Sequence, residues 1–250
     1  MKKTIAIMLA GGKGKRMGAN ISKQFIEING KPIIYYTIKS FELCEGIDEI
    51  VLVLPKDEIS YFKNNIMNKF DFNISSIIEG GKERQDSVYN ALKSIQDCEV
   101  VLIHDGARPF VSKKIIEDGI KKAKEYGAAA PGVVPKDTIK IRDNNGFSIK
   151  TLKRDELVAI QTPQCFDFNI IKKCHEEIKK KNIQVTDDTM VVEMFGNKVL
   201  IYDGDYKNIK ITTKEEAQSI SKPIQTLLII IALLVMGVNV IYYTGTRASY

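Results

Sequence analysis

The sequence has few cysteines and no arrangement of them that suggests a metal site or a disulfide framework. The 4 cysteines are scattered along the chain, and no Cys-x-x-Cys pair occurs. This pattern argues against structural zinc and against disulfide bonds, and it favours a reducing compartment. The sequence also lacks the pattern of a secretory signal peptide, because only Met1–Lys3 precedes the first apolar run. These absences predict a cytoplasmic location for the main domain.

A long block of like charge is also missing. The chain has 250 residues, with 37 Lys and Arg against 31 Asp and Glu and a formal net charge of +6. Dispersed cations do not favour nucleic acid as the partner, and they suit phosphorylated small molecules equally well. The hydrophobic content of 44% is typical of a globular protein. A chain of this length holds one large α/β domain or two small ones.

One segment near the C-terminus departs from the globular pattern. From Pro223 to Thr246 the sequence contains no charged residue, and Lys222 and Arg247 flank the segment. About 20 apolar residues are enough to cross a bilayer as a helix. The pattern predicts a membrane-spanning helix over 223–246. A buried C-terminal helix or an amphipathic docking helix is the alternative.

A basic, glycine-rich loop follows the first apolar run, residues 4–9, which is typical of a central strand buried on both faces. Within eight residues the loop contains four glycines and three cations, which are Gly11, Gly12, Gly14, Gly18, Lys13, Lys15 and Arg16. Glycine allows backbone N–H groups to approach a ligand closely, and the cations add charge at the same place. The loop therefore suits a polyphosphate.

Neither of the two familiar phosphate loops fits this sequence. No window supplies the Gly-x-x-x-x-Gly-Lys-Ser/Thr of a Walker A loop. Gly12 and Gly14 match the first two glycines of a dinucleotide fingerprint, but Met17 occupies the third glycine position. The simpler alternative is a glycine-rich turn with solvated charges. Lys23, shortly after the loop, is by its position either a ligand-binding or a solvated lysine.

Two further strand ends contribute candidate site residues. Gly80 and Gly81 follow a predicted strand and precede a helix, which places Ser87 and backbone amides near the helix N-terminus; an ordinary turn and cap is the alternative. The apolar run Val100–Asp105 ends in a carboxylate. Ligands of open α/β sheets gather at the carboxyl ends of strands. Asp105 beside a polyphosphate is therefore a natural direct or water-mediated Mg²⁺ ligand.

An alternating segment predicts a β-hairpin inserted into the α/β chain. Residues 137–142 and 147–152 alternate apolar and polar side chains about a turn at 143–146. A two-stranded ribbon is marginal in water by itself. We therefore expect this arm, about 137–157, to pack on a second copy of the chain in a homodimer.

The second half of the chain predicts further elements. Lys113–Tyr126 is typical of a helix that ends at Gly127. Residues 161–166 indicate a turn, 186–188 the start of another helix, and 208–213 a short strand.

Several polar residues in these elements have more than one interpretation. We expect His104 to be packed rather than catalytic, and Arg108 to bind phosphate or a partner chain. Asp187 and Asp188 suit an N-cap better than a metal site. The target of Lys210 is open on pattern alone.

The ordered series of motifs resembles one known family. In chain order it comprises Gly11-Gly12-x-Gly14-x-Arg16-Met17, Lys23-Gln24-Phe25, Gly80-Gly81-x-Glu83-Arg84-x-x-Ser87, His104-Asp105-Gly106-Ala107-Arg108-Pro109, Asp137-Thr138, Thr162-Pro163-Gln164, Thr186-Asp187-Asp188 and Asn208-Ile209-Lys210-Ile211-Thr212. The series resembles the 2-C-methyl-D-erythritol 4-phosphate cytidylyltransferases of the non-mevalonate isoprenoid pathway. The resemblance covers roughly residues 4–218.

The resemblance implies a fold, a reaction and a set of residues. The fold is a Rossmann-like α/β nucleotidyltransferase sheet over 1–218, with a β-arm that crosses into the partner of a homodimer. The reaction transfers a cytidylyl group from CTP to the polyol phosphate, with Mg²⁺ as cofactor held by Asp105. The implied catalytic residues are Arg16, Lys23, Arg154 and Lys210. The implied nucleotide-binding residues are Ala10, Gly11, Gly12, Gly14, Gly80, Gly81, Ser87 and Asp105, and the implied substrate residues are Arg108, Thr138 and Thr162.

Two other functions remain as alternatives. One is a ribitol- or glycerol-phosphate-type cytidylyltransferase for wall polymers. The other is a catalytically silent, membrane-tethered nucleotide-binding scaffold, against which the presence of Arg16, Lys23, Asp105 and Lys210 argues. The sequence departs from the family at Lys82, where some members carry an acidic residue. It also departs from the family beyond Glu216, where it continues into the apolar tail.

Overall fold

A computed structural model describes residues 2–11, 22–213 and 216–217. Gly12, Gly14 and Arg16 of the basic loop and the apolar segment 223–246 lie outside the described residues. Within the described ranges, no helix is both long and apolar enough to cross a membrane. The membrane-spanning helix therefore stays a prediction from the sequence.

The described strands are short, and most of them join one sheet. In chain order they are β1 (Thr4–Leu9), β2 (Glu27–Ile28), β3 (Lys31–Pro32), β4 (Glu49–Leu54), β5 (Ser76–Glu79), β6 (Val100–Asp105), β7 (Ala128–Val133), β8 (Lys140–Arg142), β9 (Ser148–Thr151), β10 (Ala159–Ile160), β11 (Gln164–Asp167) and β12 (Leu200–Asp203).

The described helices alternate with these strands over much of the chain. They are α1 (Ile33–Glu42), α2 (Lys56–Tyr61, continued by a π-helical turn over Phe62–Met67), α3 (Arg84–Ser94), α4 (Lys113–Tyr126), α5 (Phe168–Lys180) and α6 (Asp188–Glu193). The bounds predicted for α4 are confirmed. Ser112 accepts a hydrogen bond from the Ile115 amide at its start, and Gly127 ends it in the left-handed region, at φ 83°.

The main sheet has eight strands. Seven of them follow the order β10-β7-β11-β6-β1-β4-β5, and the eighth, β12, also pairs with β7. Strands β5, β4, β1 and β6 are parallel. The chain leaves β1 toward β4 and β5 and then returns to place β6 on the opposite side of β1. A ligand site is expected where the strand order reverses in this way, at the carboxyl ends of the two strands. In the register of these strands, Leu9 lies opposite Asp105.

The apolar side chains of the central strands alternate between two cores. On one face, Ala6 and Met8 of β1 belong to a cluster with residues of α1 and α4. On the other face, Ile5 and Ile7 belong to a cluster with residues of α3, α5 and α6. The sheet is therefore covered on both faces, which explains why the central strands are continuous apolar runs and confirms the prediction for β1.

Two local predictions are wrong. Residues 161–166 do not form only a turn, because β11 begins at Gln164 and inserts antiparallel between β6 and β7. Its short sequence shows no alternation, because Gln164, Cys165 and Phe166 are all buried. Residues 208–213 form no strand. Ile211 donates a backbone hydrogen bond to Ala107 at 2.9 Å, so this segment is fixed by the turn after β6 rather than by a ladder.

The predicted hairpin is present as a separate two-stranded sheet of β8 and β9. Its strands are exposed on both faces in the single chain. The exposed fraction is 45% for Ile141, 73% for Phe147 and 65% for Ile149. The described residues of one chain leave these side chains exposed, so their burial requires another surface.

Candidate active site

A pocket opens where the strand order reverses, at the carboxyl ends of β1 and β6. Its volume is about 280 Å³. The lining residues come from both glycine-containing turns, from the short helical segment Lys23–Phe25, from the start of α3, from the ends of β1 and β6 and from the segment after β12. They are Leu9, Gly11, Lys23, Gln24, Gly81, Lys82, Glu83, Arg84, Ser87, Asp105, Ala107 and Lys210. The structure therefore brings six of the predicted site residues into one pocket, which are Gly11, Lys23, Gly81, Ser87, Asp105 and Lys210.

Three cationic side chains surround the Asp105 carboxylate in this pocket. Its carboxylate lies 2.9 Å from the Nζ of Lys210, 3.5 Å from the Nε of Arg108 and 3.8 Å from the Nε of Arg84. Burial by itself would raise the pKa of Asp105, but Lys210, Arg84 and Arg108 outweigh burial and hold this pKa well below its usual range. The carboxylate is therefore ionised at any physiological pH, and one negative charge faces three positive ones.

The second glycine turn meets the start of α3. The Gly81 amide donates to the Ser87 hydroxyl oxygen at 3.0 Å, and Ser87 donates to the Glu83 carbonyl at 3.2 Å. A Cβ at Gly81 would lie 2.2 Å from the Cβ of Asp86, so only glycine fits this turn. Glu83 and Asp86 also form a capping box. The turn is therefore a helix cap, as one interpretation predicted, and it also lines the pocket.

A second cavity of about 490 Å³ adjoins the first and shares Gly11, Gly81, Lys82 and Ser87 with it. Its other lining residues are Pro55, Lys56, Asp57, Glu79 and Gly80. Both cavities are therefore lined by the glycine turns. Ala10 is buried and lines neither cavity.

Gln24 fixes the segment that contains Lys23. The Gln24 amide donates to the Ala10 carbonyl and, at 3.1 Å, to the Glu58 carboxylate. Gln24 is itself buried. The end of β1 and the start of α2 thereby hold Lys23 at the pocket.

A buried frame behind the pocket supports Asp105 and Arg108. The Thr162 hydroxyl accepts from the Asp105 amide at 3.1 Å and lies 3.0 Å from the His104 Nδ1. The other ring nitrogen of His104 lies 3.1 Å from the Arg108 carbonyl oxygen. A carbonyl only accepts, so the Nε2–H of His104 donates to it and Nδ1 accepts from Thr162. Burial lowers the pKa of His104 to about 4, so the ring is neutral near pH 7. The prediction that His104 is packed is confirmed.

The structure does not bring the arm residues to this pocket within one chain. The Nη2 of Arg154 lies 3.4 Å from the Thr138 hydroxyl, and both side chains are exposed. Neither residue lines the pocket.

Sequence reasoning assigned no site role to Arg84 and Gln24, which both line the pocket. Both stand inside motifs that were recognised, one residue after Glu83 and one after Lys23. Their position inside motifs that also contain predicted site residues is the signal that was available. Asp187 is the N-cap of α6 and accepts from the Met190 amide at 3.0 Å, as predicted.

A divalent cation in this pocket would find the Asp105 carboxylate at the end of β6. The described residues contain no group of three or more metal-ligating side chains. Mg²⁺ at nucleotide sites is commonly held by one or two carboxylates together with substrate phosphates. Asp105 is ionised and lines the pocket, so it fits a site of that kind.

The parallel-rich α/β sheet and the cationic pocket at its switch point define a nucleotidyltransferase. A family model described as 2-C-methyl-D-erythritol 4-phosphate cytidylyltransferase matches residues 4–221. The chain belongs to this family, and it is a CTP-dependent enzyme of isoprenoid precursor synthesis.

Individual relatives agree with this assignment. A 2-C-methyl-D-erythritol 4-phosphate cytidylyltransferase of Clostridium perfringens is 70% identical over 216 residues, which are 86% of this chain and 96% of the relative. The enzyme of the same name from Clostridium beijerinckii is 62% identical over 211 residues, 84% of this chain and 93% of the relative. The solved structure of 4-diphosphocytidyl-2C-methyl-D-erythritol synthase from Anaerococcus prevotii is 35% identical, with a TM-score of 0.78 over 90% of this chain and 96% of that chain.

Proposed function

We propose that the pocket between β1 and β6 is where the enzyme transfers the cytidylyl group of CTP to 2-C-methyl-D-erythritol 4-phosphate. The observation that supports this most directly is the convergence of Lys210, Arg84 and Arg108 on Asp105, in the pocket that Lys23 also lines. Such a concentration of cations at the carboxyl end of a strand suits two phosphorylated substrates better than one.

The reaction requires no general base. An oxygen of the acceptor phosphate attacks the α-phosphorus of CTP, a new P–O bond forms, and the bond to the β-phosphate oxygen breaks with its electron pair. Pyrophosphate leaves. The attacking oxygen is already an anion, so the chemical obstacle is the repulsion between two anions rather than a proton. Fixed cations near the developing charge lower this barrier.

The proposed roles follow from the resemblance to the family, and the positions of Lys23 and Lys210 at the pocket support them. Lys23, together with Arg16, stabilises the charge that develops on the α-phosphate. Lys210 and Arg154 hold the acceptor phosphate for attack, with Arg108 nearby. The backbone at Gly11, Gly12 and Gly14 and the turn of Gly80 and Gly81 hold the nucleotide, with Ser87 beside the ribose and base. Asp105 would hold Mg²⁺ together with CTP phosphate oxygens, and the ion would supply charge neutralisation there.

Thr162 acts in this proposal through the residues that it holds. Its hydroxyl accepts from the Asp105 amide and bonds to the His104 ring, and the residue is 4% exposed. A side chain engaged in this way keeps Asp105 and Arg108 in place. We therefore propose that Thr162 is a positioning residue and not a direct contact of the acceptor.

The arm is proposed to complete the site of a second copy. Thr138 and Arg154 lie next to each other on the arm and away from the pocket of their own chain. The exposed apolar side chains of β8, β9 and the turn between them provide a surface to bury. In a homodimer, the arm of one subunit would bring these two polar residues to the acceptor subsite of its partner.

The domain division is part of the same proposal. Residues 1–218 form the cytoplasmic cytidylyltransferase domain, and 223–246 form an apolar tail that anchors the enzyme to a membrane. Cell fractionation tests the anchor: the full chain should sediment with membranes, and a 1–222 truncation should not. Recovery of the full chain in the supernatant without detergent would contradict the anchor.

The reaction is tested by pyrophosphate release from CTP and Mg²⁺, with methylerythritol phosphate and ribitol phosphate offered in parallel to the full chain. Turnover with methylerythritol phosphate alone is the expected result. Turnover with ribitol phosphate would assign the enzyme to wall-polymer synthesis. Silence with both acceptors would favour the scaffold alternative.

A further inference from the structure

Four side chains form a continuous polar line from the core below the sheet to the pocket. The Nε2 of His175 on α5 lies 3.1 Å from Oδ1 of Asp188, at the start of α6. The Oδ2 of Asp188 accepts from the Nη1 of Arg84 at 2.7 Å. The Nε of Arg84 lies 3.8 Å from Oδ1 of Asp105. Arg84 is thus held between one carboxylate in the core and one in the pocket.

The inner half of this line is fully buried. His175 and Asp188 are each 0% exposed. Burial would raise the pKa of Asp188, but the charge of Arg84 and the hydrogen bond from His175 reverse this and lower it. An ionised carboxylate in an apolar core is costly to desolvate, and apolar side chains of similar size commonly give equal or higher stability. Stability alone therefore does not account for Asp188.

The position of Asp188 is itself specified by other contacts. Its backbone amide donates to the Gln164 side-chain oxygen at 3.0 Å, and the Gln164 amide group donates to Asp187 at 2.8 Å. Three elements, β11, α5 and α6, therefore determine where this carboxylate lies. A carboxylate fixed in this way also fixes the planar guanidinium that donates to it, because the fork geometry of arginine is rigid.

Arg84 has N–H donors that its two carboxylate contacts do not use. Its contacts with Asp188 and Asp105 use Nη1 and Nε. Within the described part of the chain, Nη2 donates no hydrogen bond. Arg84 lines the pocket, and 32% of its side chain is exposed. A guanidinium presented in this way is suited to a phosphate oxygen.

We propose that Arg84 binds a phosphate of CTP, and that Asp188 and His175 are positioning residues which hold its guanidinium at the pocket wall. This inference rests on the proposed function, because it takes CTP as the ligand of the pocket. It adds three residues to the site, two of which touch no substrate.

The test is a double-variant comparison of CTP binding, measured by calorimetry with Mg²⁺ and no acceptor. Asp188→Asn and Arg84→Gln should each raise the dissociation constant of CTP by about tenfold or more. Arg84→Gln combined with Asp188→Asn should be no weaker than Arg84→Gln alone, because Asp188 acts through Arg84. CTP affinity within twofold of the unmodified protein in Asp188→Asn, or additive losses in the double variant, would overturn the proposal.

Two controls separate positioning from packing. Lys179→Gln removes another ion pair between α3 and α5, the 2.7 Å contact of Lys179 with Asp86, and should leave CTP affinity unchanged. His175→Gln keeps a donor near the position of Nε2, whereas His175→Leu does not. We expect affinity close to that of the unmodified protein in His175→Gln and weakened affinity in His175→Leu. Equal affinities in these two variants would contradict the role given to His175. The two His175 variants also test the proposal if Asp188→Asn does not fold.

Turnover distinguishes this proposal from the proposed function. If the unmodified protein binds CTP but releases no pyrophosphate with either acceptor, the function fails while the binding comparison still decides the role of Arg84. If turnover is normal and the variants bind CTP normally, only the present inference fails. Where turnover is measurable, Asp188→Asn should raise the KM for CTP and leave the KM for the acceptor within twofold.

Discussion

The Nζ of Lys210 lies 2.9 Å from Oδ2 of Asp105. This contact joins the irregular segment after β12 to the end of β6, two regions far apart in the sequence. The Ile211 amide, which donates to the Ala107 carbonyl, fixes the same segment from the other side. A lysine held by a carboxylate in this way is already in the pocket before an anionic substrate arrives, and little reorganisation is needed when charge develops.

Replacement of this lysine should slow the chemical step. We expect Lys210→Ala to lower kcat by roughly 10²-fold, because the acceptor phosphate is then no longer held in line for attack. Lys207→Ala is the matched control, because Lys207 is close in sequence and exposed. Steady-state pyrophosphate release measures both variants. Normal kcat in Lys210→Ala, or an equal loss in Lys207→Ala, would contradict the role of Lys210.

The shared site of the proposed dimer can be tested by mixing two inactive variants. Lys23→Ala damages the pocket, and Arg154→Ala damages the arm. If the arm of one subunit completes the pocket of the other, a heterodimer contains one site with both changes and one with neither. Random reassociation of equal amounts should then restore about a quarter of full activity.

The control for this mixture is either variant reassociated with itself, which should stay inactive. An activity that does not rise on mixing, in a protein that exchanges subunits, would show that each chain forms its own site. A monomer at micromolar concentration in light scattering would rule out the dimer itself.

Removal of the Thr162 hydroxyl should destabilise the frame behind the pocket. Thr162→Val leaves the Asp105 amide and the Nδ1 of His104 without their partner. An unsatisfied buried polar group costs about 1–3 kcal/mol, so the free energy of unfolding in urea should fall by about this amount. Thr162→Ser keeps the hydroxyl and should retain most of the stability. Equal losses in the two variants would indicate that the methyl group, and not the hydroxyl, matters.

Stability should fall on mild acidification because of His104. Its pKa is lowered by burial to about 4 in the folded protein, against about 6.5 in an unfolded chain. The stabilising contribution of the neutral ring is therefore complete above about pH 6.5 and is lost as the pH falls toward 4, by roughly 3 kcal/mol. The carboxyl pKa of Asp105 is also lowered, but its contribution is lost only below its ordinary value of 3.8. The two effects thus occupy different pH windows.

Urea unfolding at several pH values between 7 and about 4.5 measures this dependence. His104→Gln should show a flatter dependence than the unmodified protein, whatever its absolute stability. The same slope in both proteins would mean that another group causes the loss.

The parallel half of the fold could be read from the sequence because its signals are local. The strands β1, β4 and β6 contain runs of four or five consecutive apolar residues, since these strands are covered on both faces. The sequence contains the residues that cap both ends of α4, Ser112 and Gly127. It also contains turn-forming residues at 143–146, between the two strands of the arm. Asp105 was predicted as a site residue because it stands directly at the end of such a strand.

The antiparallel half and the connections within the site could not be read in this way. β11 is short and has no alternation, and what makes it a strand is the pair of neighbours, β6 and β7, on either side. The segment at 208–213 has the composition of a strand but is held by one turn and by the Arg108 guanidinium, which donates to the Asn208 carbonyl at 2.7 Å.

The sequence by itself determined the parallel sheet, the basic and glycine-rich turns, the inserted arm and the membership in a family of cytidylyltransferases, because each depends on residues that are adjacent or regularly spaced. Only the tertiary structure decided which charges meet. The contact of Arg84 with Asp188, and of Lys210 with Asp105, depends on how α3, α6 and the last segment pack around the sheet. Burial and distance, which fix the strength of these ion pairs, are properties of the packed chain and have no local signature in the sequence.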